Sequence, residues 1–256
     1  MSTPSERVAA TSCCPVVELR RYTLHPGARE TLIALFDREL IEPQEAAGMQ
    51  VIAQFRDIDQ PDVFTWLRGF ADMTVRAAAL AAFYDGPVWR AHRDAANATM
   101  IDSDDVRLLR PARPGSGFAF DGVDRPGPNA RSIPPGLFVV TIYTLDAPAA
   151  QGFTDVFEHT IAPALRASGA SPLAVLETEP SANTFPRLPV REGEHAFVWF
   201  ARFADVEARD RHRSALEKSP RWREAARPAL DRHLLAPEER WRLTPTARLR
   251  PLLARG

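Results

Sequence analysis

Three side chains in the first half of this chain have the chemistry of a small-molecule site: Arg68, Tyr84 and His92. A guanidinium stabilises a carboxylate or enolate oxygen. A phenol donates a proton, and an imidazole exchanges protons near neutral pH or binds a metal ion or haem iron. We therefore interpret the three as candidate catalytic residues, with Arg68 as the anion anchor, His92 as the proton carrier and Tyr84 as its assistant.

Arg68 lies in a segment, Val63–Phe70, whose alternating side chains predict a strand. Its predicted neighbours on one strand face are aromatic: Phe64, Trp66 and Phe70. An unpaired charge buried on such a face is strongly unfavourable, so either a ligand oxygen or a protein carboxylate must meet the guanidinium. Because structural ion pairs are common, a salt bridge to Glu18 or Asp94 is the favoured alternative to ligand binding.

His92 follows Trp89 by three residues, so both side chains lie on one face of a predicted helix. For a lone histidine, a hydrogen-bonded and partly exposed side chain is the favoured alternative to a catalytic role. Tyr84 lies at a predicted helix break, where it either donates a proton or caps the break. Asn97 points about 140° away from His92 around the helix, and a bond to nearby backbone is its favoured alternative.

The predicted pocket surrounds these groups with aromatic walls. The predicted substrate-binding side chains are Trp66, Phe64, Phe70, Phe83, Trp89 and Asn97. Core packing is the alternative for Trp66 and Trp89, because both recur in the second half of the chain.

An internal repeat relates the two halves. Tyr22, Thr23 and Leu24 recur 121 residues later, whereas Trp66 and Trp89 recur 133 residues later. The 12 extra residues fall in 181–193, a stretch typical of a lengthened hairpin loop. Matched positions that differ between the copies are Arg68 and Ala201, Tyr84 and Glu217, His92 and Ala225, and Asn97 and Leu230. Arg76 matches Arg209, and we interpret it as structural.

Each copy predicts the order β-α-β-β-α-β, which is the ferredoxin-like unit. In the first copy, the predicted strands are Val16–Leu24, 49–55, Val63–Phe70 and 105–109, and the predicted helices are 29–47, 72–83 and 88–99. In the second copy, the predicted strands are 138–145, 173–178, 197–203 and 241–243, and the predicted helices are 148–168 and 206–235. The predicted domains are a disordered tail at 1–15, a ferredoxin-like domain at 16–111, a Pro/Gly linker at 112–136 and a second ferredoxin-like domain at 137–256.

A family resemblance rests on four segments of the first half: 18–24 (ELRRYTL), 54–56 (QFR), 66–70 (WLRGF) and 83–89 (FYDGPVW). With His92 and residues 96–104, they resemble the NIPSNAP family of the dimeric α/β-barrel superfamily. The resemblance implies an α+β fold, in which two fused ferredoxin-like units pack sheet to sheet as an intramolecular dimeric α/β barrel. It also implies a ligand pocket between sheet and helices, in a superfamily that includes cofactor-free monooxygenases, cyclases, dehydratases and haem-handling enzymes.

Composition narrows the classes of partner. The chain has 256 residues, 45% of them hydrophobic, and a net charge of −1, so we expect no nucleic-acid partner. Apolar runs are too short to span a membrane, and the N-terminus lacks signal-peptide features, which predicts a cytoplasmic protein. The adjacent Cys13 and Cys14 predict no disulfide. Nucleotide-binding and helix-borne zinc motifs are absent from the sequence, so we expect no cofactor.

These observations favour a cofactor-independent enzyme of the NIPSNAP type, acting on a small, partly apolar, oxygenated metabolite of secondary metabolism. The reaction would be an oxygenation, cyclisation, isomerisation or dehydration. One alternative is a small-molecule-binding or scaffold protein without turnover. Another is a haem-associated protein with His92 as the axial ligand. The sequence leaves open whether two chains associate into a homo-oligomer.

Overall fold

The computed structural model describes residues 13–253. The strands of this region are β1 Val16–Leu24, β2 Gln50–Asp57, β3 Val63–Phe70, β4 Met100–Pro111, β5 Leu137–Thr144, β6 Pro172–Thr178, β7 Ala196–Phe203 and β8 Glu239–Pro245. The α-helices are α1 Arg29–Leu35, α2 Ile41–Ala46, α3 Met73–Tyr84, α4 Pro87–Asn97, α5 Phe153–Val156, α6 Ala162–Ala167, α7 Val206–Lys218 and α8 Arg227–Asp231. Single π-helical turns occupy Phe36–Leu40, Phe157–Ile161 and Trp222–Ala226, and a 3₁₀ turn occupies Ala149–Gln151.

Local sequence signals set the helix ends of the first half. The Asp72 carboxylate caps α3 by accepting a hydrogen bond from the Val75 backbone N–H at 2.7 Å. Pro87 opens α4 as its first residue, directly after the predicted break. The continuous helical run from α1 to α2 ends before Gly48, whose φ of 98° is a left-handed conformation that favours glycine. The predicted helix break near Tyr84 is confirmed.

Hydrogen bonds join the strands into one closed antiparallel barrel in the order β1-β3-β2-β8-β5-β7-β6-β4. The first half contributes β4-β1-β3-β2 and the second half β6-β7-β5-β8, so each has the ferredoxin-like order. Two seams close the barrel, where β2 pairs with β8 and β4 pairs with β6. The predicted intramolecular dimeric α/β barrel is confirmed, and its two sheets are also hydrogen-bonded along both seams.

Apolar side chains of the described residues form three cores. The barrel interior is filled from both halves, with Phe55 against Phe138 at 4.9 Å between ring centroids. Two outer cores each lie between one four-stranded sheet and its own helices. The first outer core contains Phe36 and Trp66, and the second contains the matched Phe157 and Trp199. A chemical site on the helix side of a sheet is therefore separated from the barrel interior.

Strand β4 begins five residues before the predicted start, at Met100 instead of residue 105. Its early residues are mostly exposed acidic or polar side chains, which hide the alternation that predicts a strand. They pair with the end of β1 through irregular register, as between Leu24 and Met100.

The two adjacent cysteines differ from the prediction. Cys14 is buried in the barrel interior instead of lying in a disordered tail, and its Sγ is bonded to that of Cys13, with an S–S distance of 2.26 Å. The bridge was not predicted because adjacent cysteines rarely form one. Gly69 allows the close packing, since a Cβ there would lie 2.2 Å from the Cys14 Sγ. The rest of the predicted tail, residues 1–12, lies outside the described residues.

The predicted linker packs onto the barrel. Phe118 lies in the interior core, 4.9 Å from Phe200 between ring centroids. Within residues 13–253, no helix has both the length and the apolar composition needed to cross a bilayer.

Candidate functional site

The helix side of the first sheet carries an alternating row of polar side chains. Along β1, Glu18, Arg20 and Tyr22 point to this side, because side chains alternate between the two faces of a strand. Glu18 lies directly opposite Arg68 of β3, and Arg20 lies opposite Trp66. All five side chains are buried, so the sheet presents charge to a layer that is otherwise apolar.

Three buried guanidinium groups share the Glu18 carboxylate. Arg20 Nη1 and Arg68 Nε each lie 2.7 Å from Glu18 Oε2, and Arg76 Nε of α3 lies 2.7 Å from Oε1. Glu18, Arg68 and Arg76 are 0% exposed, and Arg20 is 1% exposed. The group formed by Glu18, Arg20, Arg68 and Arg76, here called the arginine cluster, therefore carries two positive charges in excess.

The pKa of Glu18 reflects this surplus. Burial alone would raise the pKa of its carboxyl. The fields of Arg68, Arg20 and Arg76 together outweigh burial and hold the pKa well below its usual range. Glu18 is thus ionised at every physiological pH, and its charge is fully committed to the cluster.

Arg68 also contacts neutral groups. Its Nη1 lies 3.3 Å from Gln44 Oε1 and 3.3 Å from the Tyr84 hydroxyl oxygen. Its guanidinium carbon lies 5.2 Å from the Trp66 ring centre, within cation–π range. Among the described residues, the buried Nη2 of Arg68 has no hydrogen-bond partner. The structure therefore shows the predicted Glu18 salt bridge and, in addition, one free donor.

A loop from the second half covers the arginine cluster. Arg76 Nη1 donates to Asn183 Oδ1 at 2.9 Å and to Thr184 Oγ1 at 3.2 Å. Phe185 stacks on Tyr84 with ring centroids 6.1 Å apart. These loop residues fall in the predicted insertion, residues 181–193. We call residues 181–188 the cover segment.

Next to Tyr84, on which the cover segment stacks, lies a small cavity of about 30 Å³ whose lining includes no residue of the cover segment or of the arginine cluster. Its walls include Tyr22, Trp66, Phe83, Tyr84 and Trp89. Such a volume holds a water molecule or two but no substrate. Of the predicted aromatic residues, Trp66, Phe83 and Trp89 line this cavity, whereas Phe64 and Phe70 pack in the surrounding core.

Two predicted residues lie away from the arginine cluster. His92 is partly exposed, with Nε2 3.7 Å from Glu39 Oε2. Asn97 is exposed at the end of α4, and its neighbour Ala96 lines the cavity instead. The catalytic role of His92 and the binding role of Asn97 stay predictions.

The prediction missed two of the four members of the arginine cluster, Arg20 and Arg76. Arg20 and Tyr22 were not singled out, and Arg76 was set aside because an arginine occupies the matched position. The available signal was the spacing of Glu18, Arg20 and Tyr22 at every second residue of one strand. That pattern is also typical of a solvent-exposed strand face.

A surface group brings together Asp155, Glu158 and His159, whose candidate ligand atoms all lie within 4.8 Å of one another. The three side chains are exposed, and Arg113 forms ion pairs with both carboxylates. The pairing explains the group as a solvated helix face.

Comparison with solved structures relates this barrel to three proteins. Proteins from Lactobacillus acidophilus and Fusobacterium nucleatum, each named "putative monooxygenase", superpose with TM-scores of 0.54 and 0.56 at 12% and 11% identity. The alignments cover 95% and 96% of this chain and 100% and 97% of theirs. An anthrone oxidase-like protein superposes with a TM-score of 0.56 at 13% identity, covering 90% of this chain and 91% of its own. At these identities the similarity establishes the fold.

Sequence comparison locates the family signal in the first half. No curated protein matches the sequence. The NIPSNAP family model matches residues 17–114, which span β1 to β4 and contain the whole arginine cluster. Residues 17–114 of this chain are therefore similar to the NIPSNAP family, and they form one half of an intramolecular dimeric α/β barrel.

Proposed function

We propose that this protein is a cofactor-independent enzyme, and that the arginine cluster of its first half stabilises an anionic form of a small, partly apolar, oxygenated substrate. The observation that carries the proposal is the sharing of one carboxylate by three buried guanidinium groups. Monooxygenation is the favoured reaction, with cyclisation, isomerisation and dehydration as alternatives that begin from the same anion.

The charge of the arginine cluster supports an anionic ligand. Two uncompensated buried cations are unfavourable in a medium of low polarity. An enolate, phenolate or carboxylate oxygen near Arg68 Nη2 would offset one of these charges and satisfy its free donor. The same charge lowers the free energy of a substrate anion relative to its neutral acid, which favours deprotonation of a carbon or phenol next to a carbonyl.

The groups around Arg68 provide the proton transfer and the apolar surface that such a reaction needs. The Tyr84 hydroxyl oxygen, 3.3 Å from Arg68 Nη1, supplies a proton donor or acceptor beside the anchor. Trp66 and Phe83 provide apolar walls for a ring system. The present cavity of about 30 Å³ admits no substrate and Arg68 is not part of its lining. Binding at Arg68 therefore requires movement of Tyr84, which lines the cavity, contacts Arg68 and stacks on Phe185 of the cover segment. The covered form would exclude water from the reacting anion.

Anthrone is a suitable probe, because loss of one proton converts it to an aromatic enolate. Its oxygenation consumes one dioxygen and yields anthraquinone and water, which absorbance follows directly. We expect catalysed turnover by the wild type and a loss of 100-fold or more in kcat/KM for R68A, the scale seen when one anion-stabilising donor is removed. R68K should recover part of the rate, because it keeps the charge without the planar fork.

The matched control is R38A, because Arg38 is an exposed arginine of the same half. It should leave kcat/KM unchanged, and circular dichroism should show that R68A is folded. Equal turnover by folded R68A and wild type would refute the proposal. Tight anthrone binding without product would instead support the alternative of a ligand-binding protein without turnover.

A further inference from the structure

The second half contains a much larger cavity at the matched place, between its sheet and its helices. Its volume is about 210 Å³, against about 30 Å³ in the first half. The aromatic side chains that line it are Tyr143, Trp199, Phe203 and Trp222. The exposed Arg213 and Glu217 also line it, so the cavity reaches the protein surface.

Small side chains replace three of the four members of the arginine cluster here, whereas Arg209 stands where the first half has Arg76 and lines this cavity. Val139 lies opposite Ala201 across β5 and β7, as Glu18 lies opposite Arg68 across β1 and β3. The shorter Thr141 stands where β1 has Arg20. Loss of these long charged side chains explains why this side of the barrel is open and contains no buried cation cluster among its described residues.

Two polar atoms of the cavity wall are left unused. Trp199 is 5% exposed, and its indole N–H points near the Tyr143 hydroxyl without forming a hydrogen bond of acceptable geometry. Glu238 accepts hydrogen bonds from Arg227 and Arg240 on Oε1, whereas its buried Oε2 has no partner within residues 13–253. A buried donor and a buried acceptor without partners are each unfavourable, so a ligand that satisfies both gains affinity.

Tyr143 adds a neutral phenol to this wall. Burial, and then the nearby Glu238 carboxylate, raise the pKa of Tyr143 above its usual range. The phenol therefore keeps its proton at neutral pH. Arg227 and Arg240 pair with Glu238 on Oε1, so it is the unpaired Oε2 that disfavours an anionic oxygen placed directly against it.

We propose that the second half binds a neutral hydroxylated aromatic molecule in this cavity, independently of the function proposed for the first half. The ligand ring would pack among the aromatic side chains. Its hydroxyl would donate to Glu238 Oε2 and accept from the Trp199 indole N–H. The site is thus distinct in ligand charge from the arginine cluster.

Calorimetric titration of the full chain with 2-naphthol tests this site. Naphthalene lacks the hydroxyl, and 2-naphthoate replaces it with an anionic group. We expect saturable binding of 2-naphthol and at least 10-fold weaker binding of both analogues, since the unpaired donor and acceptor are then left unsatisfied or opposed by Glu238. This ligand series requires no variant and remains informative if a substitution unfolds the protein.

Variants assign the binding to the second half. W199F should weaken 2-naphthol binding by about 5- to 10-fold, the scale of one net hydrogen bond. The matched first-half variant W66F should leave it unchanged. Equal affinity for naphthalene and 2-naphthol, or a loss of binding in W66F but not in W199F, would overturn the proposal.

Discussion

Glu18 and Arg68 face each other directly across β1 and β3, and Arg68 Nε lies 2.7 Å from Glu18 Oε2. Neither side chain is exposed to solvent. The pair therefore links two strands of the sheet. Its carboxylate also accepts hydrogen bonds from Arg20 and Arg76. The stability of the fold and the charge of the arginine cluster are linked, because loss of the Glu18 carboxylate leaves three buried guanidinium groups without their shared anion.

Replacement of Glu18 is expected to be severely destabilising. E18Q keeps the size of the side chain but removes the one carboxylate among residues 13–253 that contacts these guanidinium groups, which should cost about 3–5 kcal/mol of unfolding free energy. Urea denaturation measures the loss. E30Q is the control, because Glu30 forms an exposed pair with Arg56 and should cost less than about 1 kcal/mol. A double-mutant cycle with R68A should show a smaller penalty for E18Q when Arg68 is already absent, and additive penalties would contradict this coupling.

Truncation of Phe185 is expected to open the first-half cavity. F185A removes the ring that stacks on Tyr84, so ligand association should accelerate by roughly an order of magnitude if cover displacement limits binding. Stopped-flow fluorescence with anthrone measures the rate. P186A changes the exposed neighbouring residue and should leave the rate unaltered. An unchanged rate in F185A would show that substrate reaches the arginine cluster by another route.

The stability of the protein should depend on pH through Asp37. Burial raises the pKa of this carboxyl to about 6, above its value of about 3.9 in an unfolded chain. The folded state therefore binds the proton more tightly, and stability falls as pH rises from about 4 to about 6. D37N should stabilise the protein by about 1–2 kcal/mol at pH 7.5 and have little effect at pH 4, as measured by denaturation at both pH values.

Glu42 supplies a control, because its effect on stability should change with pH in the opposite direction to that of Asp37. The hydrogen bond from Arg248 lowers the pKa of its carboxyl. The ionised Glu42 carboxylate therefore stabilises the fold above the pKa that it has in the unfolded chain, and this stabilisation is lost as pH falls. E42Q should accordingly destabilise the protein more at pH 7.5 than at pH 4. Parallel pH profiles for D37N and E42Q would contradict both assignments.

Arg107 of β4 is expected to stabilise the barrel through its ion pairs with two carboxylates. It is 2% exposed and bridges Glu194 at 3.1 Å and Glu239 of β8 at 2.8 Å. R107A should cost about 2–3 kcal/mol, because two partly buried carboxylates lose their partner. R93A is the control, because Arg93 and its partner Asp94 are both exposed, and it should cost less than about 1 kcal/mol. Thermal unfolding of both variants decides whether burial sets the difference.

The sequence predicts the regular elements well where side chains alternate cleanly. The bounds of β1 and β3 agree with the structure at every residue, since both strands are buried on two faces and end at turn residues. Strand β4 was predicted short, because its exposed acidic start has no such alternation. The packed position of Cys14 depends on the missing side chain of Gly69, which is distant in sequence.

The candidate site was only partly predictable. Comparing the copies singled out Arg68, because its match is Ala201, and the strand pattern placed it on an aromatic face. The same comparison misjudged Arg76: an arginine recurs at position 209, but only Arg76 has a buried carboxylate partner. Neither periodicity nor spacing indicates that residues 183–185 reach the other half, since that contact exists only after the barrel closes.

Closure of the barrel within one chain has a consequence for how its two halves can change. In a homodimer, every substitution appears twice, so a charged group introduced beside one ligand is also imposed on the other. Here Glu18 and Val139 are encoded separately although they hold equivalent places in the sheets. Substitutions can therefore adapt one half to bind an anion and the other half to bind an uncharged ligand, because a change in one half is not imposed on the other.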